Sequence, residues 1–259
     1  MKGSVAVELS IHDGVASTFG RKIADALLSV FLAPLCAACA QPLDEPTRGP
    51  VCPSCWRAIK SFTGPLCEVC GDPLLSWRTT GGAFDTCPRC RDRDHLVARG
   101  RAIGEYDGTL RAIVHALKYD SRKSLARPLA SLMTACGSSV LAHADVAVPV
   151  PLHRSRKRAR GFNQAAEIAG HLTIPAIDSL KRTRATTSQT DLPAGARHAN
   201  VKHAFAMRRR ADVNGRVVVL VDDVSTTGAT LEACARVLLE AGAREVRALT
   251  AARVVSRPR

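Results

Sequence analysis

The chain has 259 residues, 46% of them hydrophobic but only 4% aromatic, enough for one large or two smaller cores. No apolar run approaches the roughly 18–20 residues of a membrane span, so no transmembrane segment is expected. The net charge of +14 is uneven: residues 1–98 carry 10 basic and 10 acidic side chains, residues 99–259 carry 27 and 13. A basic surface concentrates phosphate-rich partners without choosing among a nucleotide, a sugar phosphate and a polynucleotide.

The first candidate element is ADALLSVFLAPL (24–35), which carries Asp25 and is broken by Pro34. Arg21 and Lys22 precede it and small residues follow (Ala37, Ala38), the outline of a secretory signal. The cysteines beyond it read as metal ligands rather than disulfide partners, so a short helix packed on the body is expected within an N-terminal extension, residues 1–30. Attachment to a membrane surface is the alternative.

Eight of the ten cysteines form four C-x-x-C pairs: Cys36/Cys39, Cys52/Cys55, Cys67/Cys70 and Cys87/Cys90. Two intervening residues let both sulfurs of a tight knuckle face one tetrahedral ion at about 2.3 Å. Twelve residues separate pairs one and two, sixteen separate pairs three and four, ordinary lengths for a zinc ribbon. Two four-cysteine zinc sites in series are expected over residues 31–98; interleaved pairing, one with three and two with four, uses the same ligands. Four repeats argue against a single redox motif, and a chain without a signal belongs in the reducing cytoplasm, where disulfides are rare. So little apolar sequence lies between Cys36 and Cys90 that metal is expected to supply most of this segment's folding energy. Cys136 and Cys234 fall on apolar helical patterns and read as core.

From Arg99 onward the pattern alternates. Residues 107–141 read as helical, with Leu110, Ile113, Val114 and Leu117, then Leu125, Leu129 and Leu132 at helical spacing. A strand is expected at 145–150 and a helix at 161–172. Val217 to Val221 is five apolar residues without alternation, as in a parallel strand buried on both faces. An amphipathic helix at 231–242 and a strand at 245–251 complete an α/β pattern with a parallel sheet over residues 99–259.

Ligands of such sheets bind at the carboxyl ends of strands, where VVVLVDDVSTTGAT (217–230) places Asp222 and Asp223. The following loop offers backbone N–H groups and a helix N-terminus to a phosphate. Ser225, Thr226, Thr227 and Thr230 add hydroxyls, and Gly228 permits close backbone approach. There is neither a G-x-x-x-x-G-K-[ST] P-loop nor a G-x-G-x-x-G dinucleotide fingerprint after a strand. A phosphoacceptor domain would not need the Thr-Thr-Gly loop, and a plain helix cap would not need two adjacent carboxylates, which are costly at a buried edge unless compensated.

DDVSTTGAT after an apolar strand resembles the 5-phosphoribosyl-1-pyrophosphate (PRPP) motif of type I phosphoribosyltransferases. With the four C-x-x-C pairs, HALKYD (115–120) and VPVPLHRSRKRARGFNQ (148–164), the chain from about Phe31 to Arg253 resembles the ComF family of competence-related proteins (ComFC/GntX type). The resemblance implies a type I phosphoribosyltransferase-like sheet behind a double zinc ribbon. It implies that Asp222 and Asp223, the catalytic pair, hold the ribose hydroxyls near Mg²⁺, while Val224, Ser225, Thr226, Thr227, Gly228, Ala229 and Thr230 cradle the 5-phosphate. Pro149 to Arg154, including Pro151, Leu152 and His153, matches the loop facing the pyrophosphate. Lys118, Arg160, Gly161, Asn163 and Gln164 match signature positions, and Lys118 and Arg160 are counted with the PRPP-binding residues. Residues 182–205, with Gln189, Arg197 and Asn200, resemble the lid that closes over the reacting centre. Purine-type members carry an acid where this chain has Thr226, which disfavours the commonest purine reaction.

Two basic runs remain, HRSRKRAR (153–160) and MRRR (207–210). The second reads as a solvated loop; the first directly follows the pyrophosphate loop, where arginine pairs bidentately with phosphate oxygens. Two functions follow. One is a Mg²⁺-dependent, cytoplasmic phosphoribosyltransferase linked to DNA uptake. The other is a non-catalytic adapter that senses PRPP or a nucleotide and binds single-stranded DNA or a helicase-like partner through its basic surface and zinc ribbons.

Overall fold

The computed structural model describes residues 16–74, 86–91, 93–120, 122–184 and 204–255. The first helix, α1 (Ala16–Leu32), begins earlier than the expected segment and stops before Pro34. Ala33 takes a left-handed φ of 39° there, the conformation in which helices commonly end, and Pro34 bars the helix from continuing. Buried Asp25 accepts the Thr47 backbone N–H at 2.9 Å, and Ser29 donates to the Leu43 carbonyl at 3.3 Å. The helix therefore docks on the first cysteine unit, with Leu27, Val30, Phe31 and Leu32 exposed. Among the described residues no helix is long and apolar enough to cross a membrane.

The cysteine segment is one motif used twice. PLCAACAQPL (34–43) and PLCEVCGDPL (65–74) share their cysteines, prolines and leucines, and fold alike. Cys36 N–H donates to the Gln41 carbonyl and Ala40 N–H to that of Cys36, both at 2.8 Å; Cys67 to Asp72 and Gly71 to Cys67 repeat the pattern at 2.8 and 2.9 Å. Each hairpin closes through one bridge, Leu35 with Pro42 and Leu66 with Pro73. Each returning knuckle is Cys-Pro-x-Cys, its proline opening a short helix, α2 (Pro53–Arg57) or α3 (Pro88–Arg91), where a missing N–H costs nothing.

The core sheet is parallel, in the order β1-β6-β5-β2: β1 (Gly100–Glu105), β2 (Val146–Pro149), β5 (Val217–Ser225) and β6 (Glu245–Arg253). A separate antiparallel ribbon pairs β3 (Leu180–Arg182) with β4 (Phe205–Met207). Side chains alternate along β5. Val219 and Val221 pack with α4 (Gly108–Tyr119), α5 (Ala126–Cys136) and α8 (Gln164–Ala169). Val218 and Leu220 pack with α9 (Ala229–Glu240) and the β3–β4 ribbon. Cys234 is fully buried in the second cluster and Cys136 packs half-buried against the first, as expected of core cysteines.

The cysteine units lie along the β1 edge. Phe62 N–H donates to the Ile103 carbonyl at 2.8 Å, and Ser61 bridges Gly104. Gly71 packs so closely on Gly100 that a Cβ there would stand 2.7 Å from the Gly100 carbonyl oxygen, and its φ of 75° independently calls for glycine.

Three elements differ from expectation. Residues 107–141 break into α4, a 3₁₀ turn at Lys123–Leu125, α5 and α6 (Ser138–Leu141), the first break falling in the polar stretch after Asp120. The basic run at 153–160, for which no element was expected, is largely helical, α7 (Arg154–Arg160), ended by Gly161 at φ 77°. β5 runs to Ser225 rather than Val221, because β6 continues beside it and pairs Val224 with Ala252 and Ser225 with Arg253.

Candidate functional site

The eight cysteines gather in two groups, Cys36, Cys39, Cys52 and Cys55, then Cys67, Cys70, Cys87 and Cys90, each with its sulfurs within 4.8 Å of one another. Pairing is serial, so the interleaved alternative is not realised. Four thiolates around an ion at about 2.3 Å stand about 3.8 Å apart. The sulfurs of Cys36 and Cys55 are 3.9 Å apart, those of Cys39 and Cys52 3.8 Å, and those of Cys70 and Cys87 3.7 Å. Backbone N–H groups of Ala38 and Cys52 point at the Cys36 sulfur at 3.4 and 3.3 Å, and that of Cys87 at the Cys67 sulfur at 3.3 Å. Sulfur-only donors at this spacing suit zinc. The second group is the more enclosed, since Cys39 of the first is exposed.

At the other centre, β2 and β5 run side by side, with Pro149 opposite Val221, so residues 150–153 emerge next to the two acids. Asn163 fixes this turn. Its side-chain N–H donates to the Val150 carbonyl at 3.1 Å while its oxygen caps α8 through Ala165 N–H at 3.1 Å. His153 caps α7 by accepting from Ser155 N–H. Arg160 donates to buried Gln164 at 3.1 Å and lies over the Tyr119 ring at 5.1 Å. The RGFNQ residues thus hold the α7–α8 corner that carries the turn.

Asp222 and Asp223 lie inside β5 and, as neighbours on a strand, project to opposite faces. Asp223 is buried and ion-paired with Lys118 of α4 at 2.9 Å. Burial alone would lower the Lys118 pKa; the Asp223 and Asp222 charges outweigh it and hold it above its ordinary value. Half-buried Asp222 accepts the Asp223 N–H at 2.9 Å. Burial, reinforced by the Asp223 charge, pushes its pKa up to about 7. A carboxylate in that state gains from any cation that reaches it.

Beyond β5 the chain turns through Thr226 and Thr227 to Gly228, whose φ of 81° starts α9. A small pocket opens there, lined by Asp222, Ser225, Thr226, Gly228 and Thr230. Thr227 Oγ1 accepts the Ala229 N–H at 3.4 Å. Ser225 is buried, and its hydroxyl accepts from Arg253 at 3.1 Å. Its side chain is thus engaged inside the protein.

The family described as a phosphoribosyl transferase domain matches residues 158–258, and the double zinc ribbon domain matches residues 27–91. DNA utilization protein YhgH of Salmonella typhi is 36% identical over 222 residues, covering 82% of this chain and 93% of that protein. Competence protein F of Haemophilus influenzae is 30% identical over 207 residues, covering 76% and 87%. The chain belongs to the ComF family. This ComF chain brings together the acids at 222–223, Lys118, the turn at 151–154 and the loop at 224–230. The expected lid residues Gln189, Arg197 and Asn200 lie outside the described residues. In MRRR, Met207 ends β4, and the exposed residues 208–210 follow it, Arg208 pairing with Asp178 at 3.0 Å. Sequence reasoning missed Tyr119, Asp72 and Arg253. The repeat PLCxxCxxPL could have singled out Asp72, which stands where the first copy has Gln41.

Proposed function

We propose that this ComF protein binds PRPP with Mg²⁺ and transfers its phosphoribosyl group to an acceptor, releasing pyrophosphate. The observation that carries the reading is the paired acids on one strand end, next to a Thr-Thr-Gly loop that opens onto the N-terminus of α9. Asp222 and Asp223 accept hydrogen bonds from the ribose hydroxyls, and the loop N–H groups donate to the 5-phosphate. His153 and Arg154 face the pyrophosphate from the end of β2. Bound Mg²⁺ would neutralise the pyrophosphate oxygens. The acceptor attacks the anomeric carbon, the bond to the pyrophosphate oxygen breaks, and pyrophosphate leaves with the electron pair. Positioning and charge stabilisation supply the rate. Lys118 holds Asp223 in an ion pair at 2.9 Å at the end of the strand. Zinc in both four-cysteine groups holds the N-terminal units folded, and thiolate ligands of this kind suit a reducing compartment such as the cytoplasm. Relatives named for competence and DNA utilization support a role in handling incoming DNA.

A second reading, a PRPP- or nucleotide-sensing adapter without turnover, is favoured by α7. Arg154, Lys157 and Arg158 are exposed on it, a surface suited to the phosphates of single-stranded DNA or to an acidic helicase-like partner. An acceptor screen for pyrophosphate release separates the two. A transferase releases pyrophosphate with some acceptor and loses this in Asp222→Asn and Asp223→Asn. An adapter binds PRPP without turnover, and its DNA affinity falls steeply with salt.

A further inference from the structure

We propose that Arg253 is a positioning residue that ties the shape of the phosphate loop to the second zinc site, an inference that rests on reading residues 225–230 as that loop. Arg253 ends β6 and is 4% exposed. Its guanidinium reaches two places at once. Nε donates to the Asp72 carboxylate, and Nη1 donates to Ser225 Oγ at 3.1 Å. Asp72 is itself buried, and its backbone carbonyl accepts the Cys67 N–H at 2.8 Å. Arg89, next to Cys90, stands 4.0 Å from the other Asp72 oxygen. One buried guanidinium therefore spans the hairpin holding Cys67 and Cys70 and the first residue of the loop.

The two copies of the cysteine motif show that this link is not part of the zinc-binding unit itself. The first copy has Gln41 where the second has Asp72, and Ala40 where the second has Gly71. Both copies meet the sheet, the first through the cluster of Cys36, Leu43, Val51 and Cys55 with Ile103, the second through Gly71 on Gly100; only the second brings an acid there. Its acid meets the arginine at the end of β6. A buried charge stripped of its partner is strongly unfavourable, so Arg253 follows Asp72, and Ser225 follows Arg253. Zinc holds the Cys67–Cys70 hairpin, hence Asp72; without it the chain of contacts loses its anchor.

The test is hydrogen exchange on the full chain, read over residues 222–232, 65–74 and 34–43, in the wild type, Arg253→Met and Ser225→Ala, with zinc content measured for each. Both variants should keep their zinc, exchange about ten-fold faster in 222–232, the scale of a lost charged hydrogen bond, and be unchanged in 34–43. Stripping zinc from the wild type should speed 222–232 to the same level and add nothing there in Arg253→Met. Unchanged exchange in 222–232 in zinc-replete variants, or in the zinc-stripped wild type, overturns the proposal. If Arg253→Met fails to fold, Ser225→Ala decides alone, since it leaves the Asp72 pair in place. In parallel, calorimetry with PRPP and Mg²⁺ should show about ten-fold weaker binding in both variants. A wild type that binds no PRPP defeats the phosphoribosyl reading, while the exchange result still decides the coupling.

Discussion

Asp222 and Asp223 are adjacent in sequence, yet their surroundings make them different acids. Asp223 faces Lys118 at 2.9 Å; Asp222 lies on the other face with its pKa raised to about 7. A carboxyl with a raised folded-state pKa binds more protons folded than unfolded, so stability falls as pH rises from about 4 to about 7. Asp222→Asn should therefore melt higher than the wild type at pH 8, with the difference closing as pH falls to 4. PRPP binding should be lost at both pH values; equal melting temperatures at pH 8 would contradict the assignment. Asp223→Asn should do the opposite. It leaves the Lys118 charge without its partner and should cost about 2–3 kcal/mol in denaturant unfolding at pH 7. The paired acids were legible in sequence because they sit in one short motif. The Asp72–Arg253 contact was not, because 181 residues separate the partners and only folding reveals that they meet.

At the scale of elements, the apolar run of β5 and the amphipathic pattern of α9 announced themselves. Their ends did not, because a strand continues as long as its neighbour offers a ladder, and β6 does so to Arg253. α7 carried no expected element, because its charge hides any apolar periodicity. It folds because its caps, His153 and Gly161, satisfy its ends and its late basic residues suit the helix dipole. The cysteine hairpins give an internal comparison. The same left-handed position is Ala40 at φ 58° in one copy and Gly71 in the other. Ala40→Gly should stabilise the first unit by about 1 kcal/mol, seen as slower zinc loss to a chelator. Gly71→Ala should destabilise the second by more, since its Cβ also meets the Gly100 carbonyl. Identical zinc loss in both variants and the wild type would contradict this reading of the hairpins.

As a whole molecule the chain joins a cysteine-rich segment to a parallel sheet: the first unit shares the sheet's core through Cys36, Leu43, Val51 and Cys55, and Ser61 and Phe62 bridge the β1 edge. The zinc ligands were readable from spacing alone. Serial pairing was the expected arrangement though the same cysteines allow another, and the folded chain decides it by bringing Cys52 and Cys55 to Cys36 and Cys39, and Cys87 and Cys90 to Cys67 and Cys70. Metal analysis should find two zinc ions per chain, and Cys52→Ser should reduce this to one while the second site stays filled. A wild-type content well below one per chain would remove the four-cysteine reading. The excess positive charge of residues 99–259 exceeds what one PRPP needs, and α7 displays part of it at the mouth of the site.

The central claim is that the acids and the loop at 222–230 form a PRPP site, and titration calorimetry with PRPP and Mg²⁺ tests it most directly. The account predicts one saturable site per chain in the wild type, lost in Asp222→Asn and Asp223→Asn while both variants keep two zinc ions. No binding by the zinc-replete wild type, or undiminished binding by both variants, would contradict it.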